Sequence, residues 1–216
     1  MNPPAGISNL LIGCCGESER QFSGIRRLLA LLGKLPGTFL LPWGSGRLDL
    51  HRRRRLVRVL VAGHGREGSP GFQGPDPLSA EPLTPECLHL PPRTWLFLMG
   101  CYQGADEFKR KWAEGTGASP DRIQGSAGET ESALSTCLLL HLLEQGIESL
   151  ERWFPEWIRC NAALEPFFSS LRESYRVNCG DPLATWEAIR TLPAVQPFQD
   201  FLSIGTRRPE FLTGLA

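Results

Sequence analysis

The chain is 216 residues long, 41% apolar and 21% charged, the make-up of an ordinary globular protein with room for one well-buried core. Lys+Arg and Asp+Glu balance at 23 each, so no net field draws it to nucleic acid or to an acidic surface. No apolar run approaches the roughly 18 to 20 residues that span a bilayer, so no membrane insertion is expected.

The N-terminus, MNPPAGISNLLIG, lacks a basic region followed by an apolar one. Seven cysteines without a CxxC pair predict reduced thiols rather than a disulfide framework, and the expected compartment is the cytoplasm. The cysteines and four histidines never fall into zinc-ligand spacing, so no metal and no cofactor is expected.

In chain order, residues 9–15 (NLLIGCC) predict a short buried strand closed by Gly16. Phe22, Ile25, Leu28, Leu29 and Leu32 then recur at helical spacing within ESERQFSGIRRLLALLGK, with Gly33 as the stop. GTFLLPW is a second short strand, ended by Pro42 and Gly44. The basic run His51-Arg52-Arg53-Arg54-Arg55 reads as a solvated lead-in to a third strand over 56–62. Residues 66–93 hold seven prolines, too many for a regular crossover helix. An irregular excursion or small hairpin is expected there, with one helical turn near Pro85 to Leu88, walling any cleft beside His64.

A fourth strand covers 95–99 (WLFLM), and DRIQGSAG supplies a shorter fifth. A long helix follows over about 130–145, ended by Gly146. Two or three more helical stretches appear at SLERWFPEWIRCNAALEPFFSSLRESY and PLATWEAIRTL, with Pro155, Pro166 and Pro182 at breaks or first-turn positions. Strands apolar at nearly every position are buried on both faces, which marks a parallel sheet covered by helices. Early strand–helix alternation followed by a helical C-terminal third predicts a three-layer α/β/α fold with a mostly parallel central sheet. One domain over 1–216 is expected, with a core at about 9–147 and a helical part at about 148–216.

The third strand ends at Gly63-His64-Gly65 and the fourth at Gly100-Cys101. In a parallel sheet both ends lie on the carboxyl edge, where ligands bind. A thiol attacks a carbonyl as thiolate, and an adjacent imidazole can accept its proton and later donate one to the leaving group. Acyl transfer also needs donors aimed at the oxyanion, which the Gly65 and Cys101 amides can supply. The flanking glycines leave room for a substrate backbone. Gly16, at the first strand's end, and Ser126, after the fifth, are further candidates for lining the cleft.

Other motifs carry less. GCCGESERQFSG lacks the spacing of a phosphate-binding loop, and no GxSxG elbow occurs. Cys137 and His141, one helical turn apart, belong to an apolar helix face and are expected in the core. Asp106 and Glu107 fit a solvated helix start, and an orienting role for either is the alternative.

VRVLVAGHG and WLFLMGCYQG resemble the paired strand-end motifs of caspase-fold cysteine peptidases, the superfamily of caspases, metacaspases, legumains and CHAT proteases. GSAGETESALSTCLLLHLLEQG and PLSAEPLT are similar to the segments after and before the cysteine strand in CHAT domains. The resemblance implies a caspase-like fold, a Cys101 nucleophile, a His64 proton carrier and an oxyanion hole from Gly65 and Cys101. Members cleaving after Arg or Lys often carry an acidic residue two positions before the cysteine, where this chain has Met99. Caspases cleaving after Asp use arginines, and Cys14-Cys15-Gly16 offers none. An uncharged P1 residue is therefore expected.

The expected function is a cytoplasmic cysteine endopeptidase acting on a protein or peptide substrate, in a regulated pathway of the defence or cell-death type, with a separate activator protein. The alternatives are a catalytically idle caspase-fold interaction or scaffold module and, ranked below it, a nucleotide-binding α/β protein using the Gly13 to Gly16 turn.

Overall fold

The computed structural model describes residues 3–16, 22–74, 81–178 and 180–203. The apolar runs become strands: β1 (Asn9–Cys14), β2 (Thr38–Pro42), β4 (Arg58–Gly63), β6 (Trp95–Met99) and β7 (Ile123–Gly125). They form one five-stranded sheet in the order β2-β1-β4-β6-β7, and every neighbouring pair is parallel. The α/β class with a parallel central sheet is the expected one.

Residues Leu10, Ile12, Val59, Val61, Leu96 and Leu98 alternate with Leu11, Leu60, Ala62, Phe97 and Met99, and none of them is more than 3% exposed. That two-sided burial is why the strands lack a polar face. The first of these sets packs with Phe108 and Trp112 of helix α2 (Asp106–Thr116), which covers that face of the sheet. Helix α2 is amphipathic in the ordinary way: Asp106 and Glu107 occupy its first turn, favoured by the helix dipole, and Gly117 closes it at φ 78°. A buried polar tie spans three strands, because Arg58 donates to Asn9 Oδ1 and Asn9 donates to Thr38 Oγ1.

Two short strands, β3 (Leu48–Asp49) and β5 (Leu88–His89), pair in parallel as a separate small sheet. The proline-rich segment is the expected excursion. It turns back as a narrow antiparallel arrangement, Gly65 opposite Phe72 and Phe72 opposite Leu83, then makes one 3-10 turn at Pro85–Cys87. Its residues 75–80, which include part of the PLSAEPLT stretch, lie outside the described residues, as does the start of the ESERQ helix before Phe22.

The chain divides into two compact units: Met1–Glu17 with Gly33–Glu129, and Ser18–Leu32 with Thr130–Ala216. The first holds both sheets and α2. The second is helical: α1 (Ser23–Leu32), α3 (Ser132–Gln145), α4 (Leu150–Leu164), α5 (Phe168–Asn178), α6 (Pro182–Arg190) and α7 (Gln199–Leu202). Helix α3 is buried on nearly every side, and α1, α4, α5, α6 and α7 pack against it. Pro166 and Pro182 fall where expected, at the break before α5 and in the first turn of α6. Pro155 does not: it lies inside α4, where burial of Trp153, Phe154 and Trp157 holds the helix together despite the lost N–H. Among the described residues, no helix is long and apolar enough to cross a membrane.

Candidate functional site

All five strands of the main sheet run the same way, so their carboxyl ends share one edge. From β1 this edge receives Cys15 and Gly16, from β4 His64 and Gly65, from β6 Gly100 and Cys101, and from β7 Ser126. The crossover direction reverses between β1 and β4, making that crevice the topological switch point of the sheet.

The register brings the two candidate residues together. Ala62 pairs with Met99 at the last rung of β4 and β6, so His64 and Cys101 are the residues two beyond it on neighbouring strands. The backbones close up as they leave the sheet. A methyl group added at Gly65 would stand 2.0 Å from Cys101 O and 2.8 Å from Cys101 N. One added at Gly100 would stand 2.7 Å from Gly63 O and 3.0 Å from Gly65 N. Real Cβ atoms do not approach so closely, so glycine is required at both positions by packing. His64 and Cys101 themselves are half-buried.

The loop after His64 folds back as a narrow hairpin with Gly65 opposite Phe72. In the hairpin, Gln73 N–H donates to His64 O and Arg66 N–H donates to Gly71 O. Gly65 sits between these bonds and its own N–H takes part in neither.

The turn after Cys101 is held in an uncommon conformation. Tyr102 has φ 63°, in the left-handed region that costs a non-glycine residue about 1–3 kcal/mol, so its surroundings must hold it there. Tyr102 N–H donates to Gly128 O at 2.8 Å and Gly104 N–H donates to Ser126 O at 2.7 Å, bracing the turn against the segment after β7. Gly104 lies so close to β7 that an added methyl would meet Gly125 O at 1.9 Å.

The sequence offered no signal for Gln103, which is wholly buried at the centre of this arrangement. Its Oε1 accepts from Gly71 N–H at 2.8 Å and from Trp112 Nε1–H at 3.1 Å. Its Nε2 donates to Cys101 O at 3.2 Å and to Arg66 O at 3.5 Å. One amide side chain therefore ties the histidine loop, the cysteine turn and α2 together.

The remaining candidates are less open. Met99 is 3% exposed and Ser126 2% exposed, with Ser126 Oγ accepting from Gly128 N–H. Gly16 is also buried. Of the candidate residues, His64, Gly65 and Cys101 are half-buried, while Met99, Ser126 and Gly16 are buried.

Three buried thiols are poorly suited to nucleophilic work. Burial pushes the thiols of Cys14 and Cys137 well up, and that of Cys160 up to about 12. Among the described residues, only Cys87 and Cys101 are partly exposed cysteines. Cys137 and His141 are core residues, as expected, both 0% exposed. His141 stacks on Trp153 at 4.1 Å, its Nε2 faces Phe201 O, and burial lowers its pKa to about 4.

The β3–β5 pairing makes a second group that spacing along the chain did not foretell. Asp49, His51 and His89 come together on the surface, their candidate ligand atoms all within 4.8 Å of one another. The basic run beside them is solvated, as expected, with Arg52, Arg54 and Arg55 exposed. Compared with family models, curated proteins and solved structures, the chain matches none of them.

Proposed function

We propose that the chain is a cysteine endopeptidase with Cys101 as nucleophile and His64 as proton carrier. The observation that carries this reading is the juxtaposition of Gly63-His64-Gly65 and Gly100-Cys101 on adjacent, in-register strands beside the topological switch point.

In this mechanism the Cys101 Sγ–H proton passes to His64 as sulfur attacks the scissile carbonyl carbon. The carbonyl oxygen becomes an oxyanion facing the Gly65 and Cys101 amides. Collapse breaks the C–N bond, and His64 returns the proton to the departing amine. The thioester left on Cys101 is then hydrolysed by water, His64 taking a proton from the water and giving it back to sulfur. Gln103 touches neither substrate nor reacting atoms in this scheme; it positions the Cys101 turn against the histidine loop.

Met99 and the Cys14-Cys15-Gly16 turn supply no fixed charge to a P1 pocket. Arg or Lys at P1 would lose water without gaining a partner, costing several kcal/mol, whereas small or apolar P1 residues bury carbon at a gain. The substrate class is thus a protein segment with an uncharged P1 residue. A peptide library profiled at P1 tests this: turnover with uncharged P1 residues that falls at least about 100-fold in Cys101→Ala and in His64→Ala is expected. Turnover that persists in Cys101→Ala, or a clear preference for Arg, Lys or Asp, contradicts it. A chain that serves as a scaffold on the same fold would give no turnover in any variant.

A further inference from the structure

We propose that Asp49, His51 and His89 form a surface site for one divalent transition-metal ion of the zinc class. The site is built by the small sheet: β3 and β5 set Asp49 directly opposite His89, and the turn after β3 brings His51 back beside Asp49. Asp49 Oδ1 lies 2.5 Å from His51 Nδ1 and 3.5 Å from His89 Nδ1. In tetrahedral zinc coordination, with bonds of about 2.0–2.2 Å, neighbouring ligand atoms are about 3.3 Å apart. These two separations bracket that value and all three donors lie within 4.8 Å of one another, so one ion reaches them after side-chain shifts.

The donor set is two imidazole nitrogens and one carboxylate oxygen, which suits zinc, nickel, cobalt and copper rather than magnesium or calcium. The rings are stacked at 4.9 Å with an interplanar angle of 27°, so each must turn for its Nδ1 lone pair to meet a common point. That turn is soft for a histidine χ2 angle, and the two side chains are 39% and 60% exposed. Arg52 Nε–H now donates to His51 Nε2 at 3.2 Å, which leaves the ring proton on Nδ1, pointing at Asp49. The ion takes the place of that proton, the imidazole proton moves to Nε2 through solvent, and the exposed Arg52 swings aside. The neighbouring guanidiniums oppose a cation, so the affinity is modest. Remaining coordination positions face solvent, and the bound ion clamps residues 49–51 to His89 across two strands of only two residues each.

The site is separate from His64 and Cys101, and its test is independent of any peptidase activity. Cobalt(II) is titrated into the full chain under reducing conditions and followed by visible absorption, with zinc as competitor. One cobalt per chain is expected, with d–d bands, no thiolate-to-cobalt charge-transfer band, and displacement by zinc. Asp49→Asn, His51→Ala and His89→Ala are each expected to weaken binding about tenfold or more, with the far-UV circular dichroism unchanged. In the unmodified chain, saturating zinc is expected to protect His51 and His89 from diethyl pyrocarbonate, a readout that needs no variant. Failure to bind cobalt saturably overturns the proposal. So does a bound cobalt that carries a thiolate band and is indifferent to the histidine changes, because that assigns the metal to cysteine.

Discussion

Gln103 concentrates four hydrogen bonds from the groups of Arg66, Gly71, Cys101 and Trp112 into one buried side chain. Gln103→Leu strands two N–H donors and two carbonyls, and an unfolding titration is expected to show a loss of about 2–4 kcal/mol. Gln103→Glu keeps the acceptor for Gly71 and Trp112 but loses the donor to Cys101 O and Arg66 O. A carboxylate oxygen facing those two carbonyls at a buried position recovers no stability, and alkylation of Cys101 is expected to be slower than in the unmodified chain. Equal alkylation rates in Gln103→Glu and the unmodified chain would remove the positioning role. The half-buried Cys101 and His64 carry little packing, so their alanine variants are expected to unfold within about 0.5 kcal/mol of the unmodified chain. Cys137→Ala, at a fully buried position, is expected to cost about 1 kcal/mol or more and spare activity. His64, Cys101 and the flanking glycines were legible because a two-sided apolar strand announces its own end. Gln103 was not, because its outermost partners, Arg66 and Trp112, lie 46 positions apart and meet only in the folded turn.

The strands were legible almost to the residue where they were apolar on both faces, and 95–99 is observed without change as Trp95–Met99. Strands β3 and β5 were not, since two residues carry no periodicity and the two lie on opposite sides of β4 along the chain, β5 within the proline-rich segment. Helix α2 was legible only at its acidic start, although Phe108 and Trp112, four apart, were the face it buries. At the sheet edge, close approach predicts a sharp contrast between glycines. Gly65→Ala and Gly104→Ala push a methyl to within 2.0 and 1.9 Å of a carbonyl oxygen, and each is expected to cost about 3 kcal/mol or more. Gly44→Ala, with nothing within 4 Å, is expected to be neutral. Thermal unfolding of the three variants checks this, and a harmless Gly65→Ala would mean that β4 and β6 do not converge as described.

Taken as a whole, the chain places its candidate chemistry in the sheet-bearing unit and its buried histidine in the helical one. His141 was recognisable as a core residue from its apolar helix face; that Trp153 and Phe201 enclose it was not, because residues 12 and 60 positions away supply the contact. Burial makes the folded state take up the His141 proton only near pH 4, while the unfolded chain takes one up near the ordinary value of 6.5. Between those values protons favour unfolding. The contribution is therefore intact above pH 6.5 and is lost as the pH falls toward 4, amounting to about 3 kcal/mol. His141→Gln retains a donor for Phe201 O but does not titrate. The difference between the two proteins in unfolding free energy, measured from pH 7 to 4, is expected to shift by about that amount in favour of the variant. Parallel pH profiles would contradict the burial of this ring.

The proposed chemistry requires Cys101 to be a nucleophile made reactive by His64. The most direct measurement is covalent labelling of the full chain with a peptide chloromethyl ketone or epoxide carrying an uncharged P1 residue, mapped by mass spectrometry. Stoichiometric modification at Cys101 alone is expected, with the partly exposed Cys87 untouched and the rate falling sharply in His64→Ala. Labelling distributed over Cys87 and Cys101 alike, or a Cys101 rate indifferent to His64→Ala, would contradict it.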